Sequence, residues 1–207
     1  MAALGVEAIG VIAVPGSPRH LAPELRPALF EAMATSRPRC FGVLVVADPL
    51  DADLGHLAAG RGHAVLQLHG SESVARCAEL RERLPGLLLW KALRIRQPAD
   101  LELAEAYAPV VDGLLLDAWV PDQLGGTGHR IPVEWLLGFR PSLPWWLAGG
   151  INPERVEPVL SRLHPDGVDA SSGVEDAPGL KNLERVAALV AAVQEARLRW
   201  RAGPPAA

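Results

Sequence analysis

Short apolar runs recur along the chain, each closed by a polar or turn-forming residue and followed by a stretch long enough for a helix. Seven such runs occupy residues 8–14, 40–46, 64–68, 87–92, 113–116, 145–148 and 167–170, dominated by Val, Ile, Leu and Ala. Strands this uniformly apolar are buried on both faces, as in parallel sheets. Between them the pattern predicts helices over 23–35, where Pro23 suits the first turn, and loosely over 50–59. It predicts another from about Ser71 to Pro85, with Ser71 as its cap and Glu72 in its first turn. Further helices are expected over 101–108, over 132–137, after Asn152-Pro153-Glu154, and over 182–199. Residues 1–5 read as the last turn of a helix ended by Gly5. No hairpin signal joins any two runs. Repeating strand–helix units of this kind build a parallel sheet with right-handed crossovers, an α/β fold.

Two closures compete, an open doubly wound sheet and a (β/α)8 barrel. The polar and glycine-rich residues decide between them, because they fall after strands: Arg19, Gln67 with His69, Asp117, Gly149-Gly150 and Ser171-Ser172-Gly173. The last two clusters follow the final two strands, where barrels hold phosphate. The expectation is therefore a TIM (β/α)8-type barrel with seven recognisable strands. One missing strand leaves two edges with unpaired backbone groups, so runs 8–14 and 167–170 should border a gap.

Composition narrows the setting. The chain has 207 residues without a linker or composition shift, which predicts one domain over 1–200 and a loose tail over 201–207. Its net charge of -4, with 20 scattered Lys and Arg residues, offers no footprint for nucleic acid. No apolar run nears the ~18 residues of a membrane span, and Glu7 interrupts any signal-like start. Two cysteines, Cys40 and Cys77, are too few for a disulfide framework or a zinc cluster, so no metal is expected and a reducing cytoplasmic location is. Cys40 starts its strand and Cys77 sits on a helix face, and both read as packing residues.

Asp117 is the candidate catalytic acid. It ends a buried strand, under a loop that closes on Gly125-Gly126-Thr127-Gly128. Gly149 and Gly150 would let a ligand reach bare backbone N–H groups beside a helix start, and Ser171, Ser172 and Gly173 would add hydroxyl and amide donors. Together they suit a phosphate monoester. Arg19 could grip a carboxylate with a two-pronged hydrogen bond, and His69 could make a second polar contact. Each has a bland reading as well, namely a helix-capping acid, tight turns, a solvated arginine and a turn histidine.

Together these residues resemble the phosphoribosylanthranilate isomerase family of tryptophan biosynthesis. The matching words are Gly-Ser-Pro-Arg at 16–19, Leu-Gln-Leu-His-Gly at 66–70, Leu-Leu-Leu-Asp at 114–117 and Gly-Gly-Thr-Gly at 125–128. Leu-Ala-Gly-Gly-Ile-Asn-Pro-Glu at 147–154, Val-Asp-Ala-Ser-Ser-Gly-Val-Glu at 168–175 and Pro-Gly-Leu-Lys at 178–181 continue the series. They keep the family's order and spacing over nearly the whole chain. The resemblance implies a barrel that performs an Amadori rearrangement of a phosphosugar without a cofactor. It makes Asp117 the general acid, Arg19 the contact for the anthranilate carboxylate, and Gly149, Gly150, Ser171, Ser172 and Gly173 the phosphate loops. Gln67, His69 and Gly126 are taken as further substrate-binding positions.

One departure matters. The family opens with a strand close to Lys-Ile-Cys-Gly, whose cysteine is its general base, followed by a helix. Here neither is found, and neither Cys40 nor Cys77 takes that position. A start lying upstream and a degenerate copy both account for this, and the intact site words favour the first. The family implies an isomerase impaired in residues 1–207. Two other readings stand beside it. One is another phosphosugar barrel enzyme, such as indole-glycerol-phosphate synthase, for which Lys91 is the candidate catalytic lysine. The other is a non-catalytic phosphosugar-binding or interaction protein on the same scaffold. Oligomeric state is not legible.

Overall fold

In the computed structural model, residues 1–118 and 130–202 are described. Seven strands form one sheet in chain order: β1 (Ala8–Ile12), β2 (Phe41–Val46), β3 (Val65–Leu68), β4 (Leu88–Ile95), β5 (Gly113–Ala118), β6 (Trp145–Leu147) and β7 (Gly167–Val168). Every neighbouring pair is parallel. The sheet is curled, because Val43 of β2, Trp90 of β4 and Trp146 of β6 pack together although their strands are not neighbours. Among the described residues β7 and β1 do not pair, so the ring stays open between them. This is the gap that the strand count predicts. Its cost shows in burial: β3 and β5 are buried throughout, while β1 and β7, each with one neighbour, are mostly half-buried.

Alternation along the strands sorts the side chains into an inner and an outer layer. Leu66, Leu68, Leu114 and Leu116 point outward and form the main core with Phe30, Leu80, Leu136 and Leu160. Those partners come from the flanking helices or the turns closing them: α1 (Arg26–Ala34), α3 (Val74–Arg83), α5 (Val133–Leu136) and α6 (Pro153–Leu160), with α2 (Leu54–Leu57) and α4 (Leu103–Tyr107) between. On the inner side Trp90 and Trp146 stack with ring centroids 4.0 Å apart. They need Gly113 and Gly167 as neighbours, since a Cβ there would lie 2.6 Å and 2.5 Å from the Trp146 ring. The glycines that open β5 and β7 thus make room for the indole that fills the barrel floor.

Several local expectations are corrected. The segment over 23–35 is a 3-10 turn, Pro23–Leu25, running into α1. Ser71 does not cap α3. Ser73 does, its hydroxyl accepting the Arg76 N–H at 3.2 Å. Glu72 therefore precedes the helix and turns into the protein, where it is buried. β4 runs three residues further than the apolar run, to Ile95, because pairing with β5 continues through Arg94 and Asp117. A hairpin is also present: β8 (Glu175–Ala177) and β9 (Leu180–Lys181) pair antiparallel around Pro178 and Gly179. Its strands are too short to show alternation, and only the Pro-Gly pair signals it. The last helix, α7 (Leu183–Ala202), packs on α6 and along the open side of the sheet.

Candidate active site

A cavity of about 680 Å3 lies inside the curled sheet and along the opening between β1 and β7. Arg19, Gln67, His69, Asp117, Gly149, Gly150, Ser171, Ser172 and Gly173 all line it, so residues from the loops or ends of five strands meet at one place. Gly126 lies outside the described residues, as does the whole Gly125–Gly128 word.

Asp117 is delivered by β5 with inward parity and is buried. Its Oδ1 accepts the Ala118 N–H at 2.9 Å, and its Oδ2 lies 3.3 Å from Nε2 of His69. The His69 Nδ1 is 2.9 Å from the Gln67 side-chain nitrogen. A Gln amide nitrogen can only donate, so Nδ1 accepts and Nε2 carries the ring proton toward Asp117. Gln67 and His69 therefore form a relay that orients the carboxylate. The sequence offered both as candidates, and in the structure His69 lies against the Asp117 carboxylate.

Arg19 stands in the loop after β1 and reaches across to the last hairpin. Its Nε donates to both oxygens of Glu175, at 3.1 and 3.0 Å, and its Nη2 to Oε2 at 2.7 Å. Lys181 of β9 donates to the other oxygen at 2.8 Å and to the Ser171 carbonyl at 3.2 Å. Burial alone would push the Glu175 carboxyl up, but hydrogen bonds and charge from Arg19 and Lys181 outweigh it and pull it down to about 2.

The two expected phosphate loops touch. A Cβ on Gly173 would collide with the Ile151 carbonyl, so the loop after β7 rests directly on the loop after β6. Gly149 and Gly150 both hold positive φ, 85° and 66°, which favours glycine. At α6, Pro153 and Glu154 take the first-turn places expected of them, while the Asn152 side chain makes no capping bond.

Asp169 and Glu175 were missed as site residues, as was Lys181. Asp169 follows Gly167 by two and so shares its inward parity, which was the available signal. Its side chain is open to the cavity and crowded by protein elsewhere. That crowding pushes its carboxyl up from the usual Asp value, the Asp117 charge adds to the rise, and His69 and Lys181 oppose it. Both cysteines lie outside the cavity lining and are buried. Burial pushes Cys40 up and Cys77 up to about 11, which leaves thiols suited to packing.

Lys91 is not in the cavity. It has the outward parity, opposite to Trp90, and its ammonium is enclosed by Glu72 at 2.9 Å and the carbonyls of Leu68, Gly70 and Ala92. With no donor to spare, it removes the support for a lysine-dependent synthase. Among the described residues no group of three or more His, Cys, Asp or Glu side chains could hold a metal, and no helix is long and apolar enough to cross a membrane.

The family model described as N-(5'phosphoribosyl)anthranilate (PRA) isomerase matches residues 1–192. The chain belongs to the phosphoribosylanthranilate isomerase family. Within that family, the N-(5'-phosphoribosyl)anthranilate isomerase of Synechococcus elongatus is 48% identical over 189 residues, covering 91% of this chain and 87% of the relative. The crystal structure of phosphoribosyl anthranilate isomerase from Thermus thermophilus superposes with a TM-score of 0.78 at 35% identity, over 96% of this chain and 92% of that one. Another structure of the family, solved in complex with reduced 1-(o-carboxyphenylamino)-1-deoxyribulose 5-phosphate, matches with a TM-score of 0.75 at 26% identity, over 94% and 90% of the two chains. The TIM-type α/β architecture expected from the strand count is thereby shared with solved members of the family.

Proposed function

We propose that the chain is a phosphoribosylanthranilate isomerase of tryptophan biosynthesis, acting in the cytoplasm as one domain over residues 1–200. The carrying observation is that a buried carboxylate with its own histidine relay, an arginine and two abutting glycine–serine loops share one cavity. A phosphate would sit against the Gly149-Gly150 and Ser171–Gly173 amides, and the anthranilate carboxylate against Arg19. Asp117, after taking a proton from solvent, would give it to the ribose ring oxygen, breaking the bond from carbon 1 to that oxygen and leaving an iminium at carbon 1. Loss of the carbon 2 proton to a base makes the enolamine. Protonation of carbon 1 and loss of the hydroxyl proton at carbon 2 then yield the ketose. All four events are proton transfers or bond shifts within one molecule, so no cofactor enters.

The base is the weak point of residues 1–207. Neither cysteine lines the cavity, and among the described residues the groups there able to accept the proton are carboxylates and His69. Asp169, raised and open to the cavity, is the best placed of these. Slow turnover is expected, and Asp117→Asn should remove it. Turnover that survives this substitution would refute Asp117 as the acid. The lack of a cavity thiol also favours a second reading, a phosphosugar-binding protein without catalysis. Binding of the reduced product analogue with no detectable isomerisation would select it.

A further inference from the structure

Glu175 holds Arg19 by one side only. A guanidinium is a planar fork with two usable edges, the Nε/Nη2 side and the Nη1/Nη2 end. Glu175 occupies the Nε/Nη2 side with both oxygens, so among the described residues the end of the fork is left over. Both side chains line the cavity, and Glu175 is 4% exposed against 16% for Arg19, so the arginine is the more open of the two. The same carboxylate takes Lys181, and the Gly179 N–H at 3.3 Å fixes it to the hairpin turn. Three charged groups are thus locked together, with one positive charge in excess, between the first loop of the chain and its last hairpin.

We propose that Glu175 is a positioning residue for recognition of the substrate's aryl carboxylate, holding Arg19 so that its Nη1/Nη2 end is presented to the cavity. This rests on the isomerase reading of the site. Arg19 has a long, rotamer-rich side chain, and without an anchor it would lose entropy on binding a carboxylate. Glu175 removes that loss beforehand. The rival possibility has the opposite sign: Glu175 could compete with the substrate for Arg19, and its removal would then strengthen carboxylate binding.

The test uses the whole chain and two probes, reduced 1-(o-carboxyphenylamino)-1-deoxyribulose 5-phosphate and its counterpart without the ring carboxyl. The ratio of their dissociation constants isolates the carboxylate, because sugar and phosphate contacts cancel. In the wild-type chain the carboxylated probe should bind about tenfold to a hundredfold tighter, the range for a charge-assisted bond. Glu175→Gln should shrink that advantage to about threefold or less while leaving the other probe's affinity nearly unchanged. An unchanged or larger advantage in Glu175→Gln would overturn the assignment, the larger one in favour of competition. Arg19→Ala supplies the check against general unfolding: in that background, adding Glu175→Gln should not alter the ratio further. A further change there would also count against the assignment. Failure of both probes to bind the wild-type chain would instead refute the isomerase reading and the assignment with it.

Discussion

Two polar clusters lie on opposite faces of the same sheet, and they differ in what they leave unpaired. On the outer face, Lys91 and Glu72 are 3% and 0% exposed, and every donor of the ammonium has an acceptor. On the inner face, among the described residues, Arg19 keeps one edge of its fork, Asp169 has no side-chain hydrogen bond, and Gly149 and Gly150 line the cavity with positive φ. A saturated ion pair spends its interactions on holding β3, β4 and α3 together. An unsaturated one keeps interactions in reserve for a ligand. Both clusters are charged, but the outer one is sealed and saturated while the inner one is partly open and keeps valence free, and that separates scaffold from site.

The largest effect should come from completing the inner face. General base catalysis typically contributes about 10²–10⁴-fold. Joining a strand–helix unit that begins Lys-Ile-Cys-Gly to Met1 should close the gap between β1 and β7 and raise turnover by about that factor. Steady-state assay of the extended and original chains measures it, and equal rates would show that the base already lies within residues 1–207. Asp117→Asn in the extended chain should remove most of the gain.

The outer cluster should respond in stability alone. Lys91→Met strands the Glu72 carboxylate in the core, and breaking a buried pair this way costs about 3–5 kcal/mol. Urea unfolding should record that loss, while affinity of the folded protein for the reduced product analogue stays unchanged. A lowered affinity would mean that the two faces are coupled and the contrast is false.

Glu175 belongs to both kinds, buried like a scaffold residue and facing the site through Arg19. Its carboxyl is depressed from 4.5 to about 2, so its contribution is present above the unfolded value and is lost as pH falls through the folded one. That contribution is on the order of 3 kcal/mol. Thermal melts between about pH 5 and pH 2 should fall more steeply for the wild type than for Glu175→Gln. Parallel curves would show that the cluster does not stabilise the fold.

The smallest effect concerns the loops. Gly150 has φ 66°, and Gly150→Val would both strain the backbone and block its amide. Affinity for phosphate-bearing probes should weaken by about tenfold or more, measured by calorimetry. Unchanged affinity would move the phosphate elsewhere.

The seven strands, their parallel order and the open edge were legible in the sequence, because each strand is a continuous apolar run and the helical segments between them exclude hairpins. The placement of Asp117 and the glycine and serine clusters at strand ends around one cavity was legible too, since polar residues there follow apolar runs. Lys91 stood as a candidate lysine in the sequence, and only its partners in the structure removed it. Only the tertiary structure decided the partnerships. Arg19 and Glu175 are 156 residues apart, and His69 and Asp117 are 48 apart. No local pattern links residues at such separations, because the curl of the sheet, inside which Trp90 and Trp146 stack, is what brings the strand ends within bonding distance.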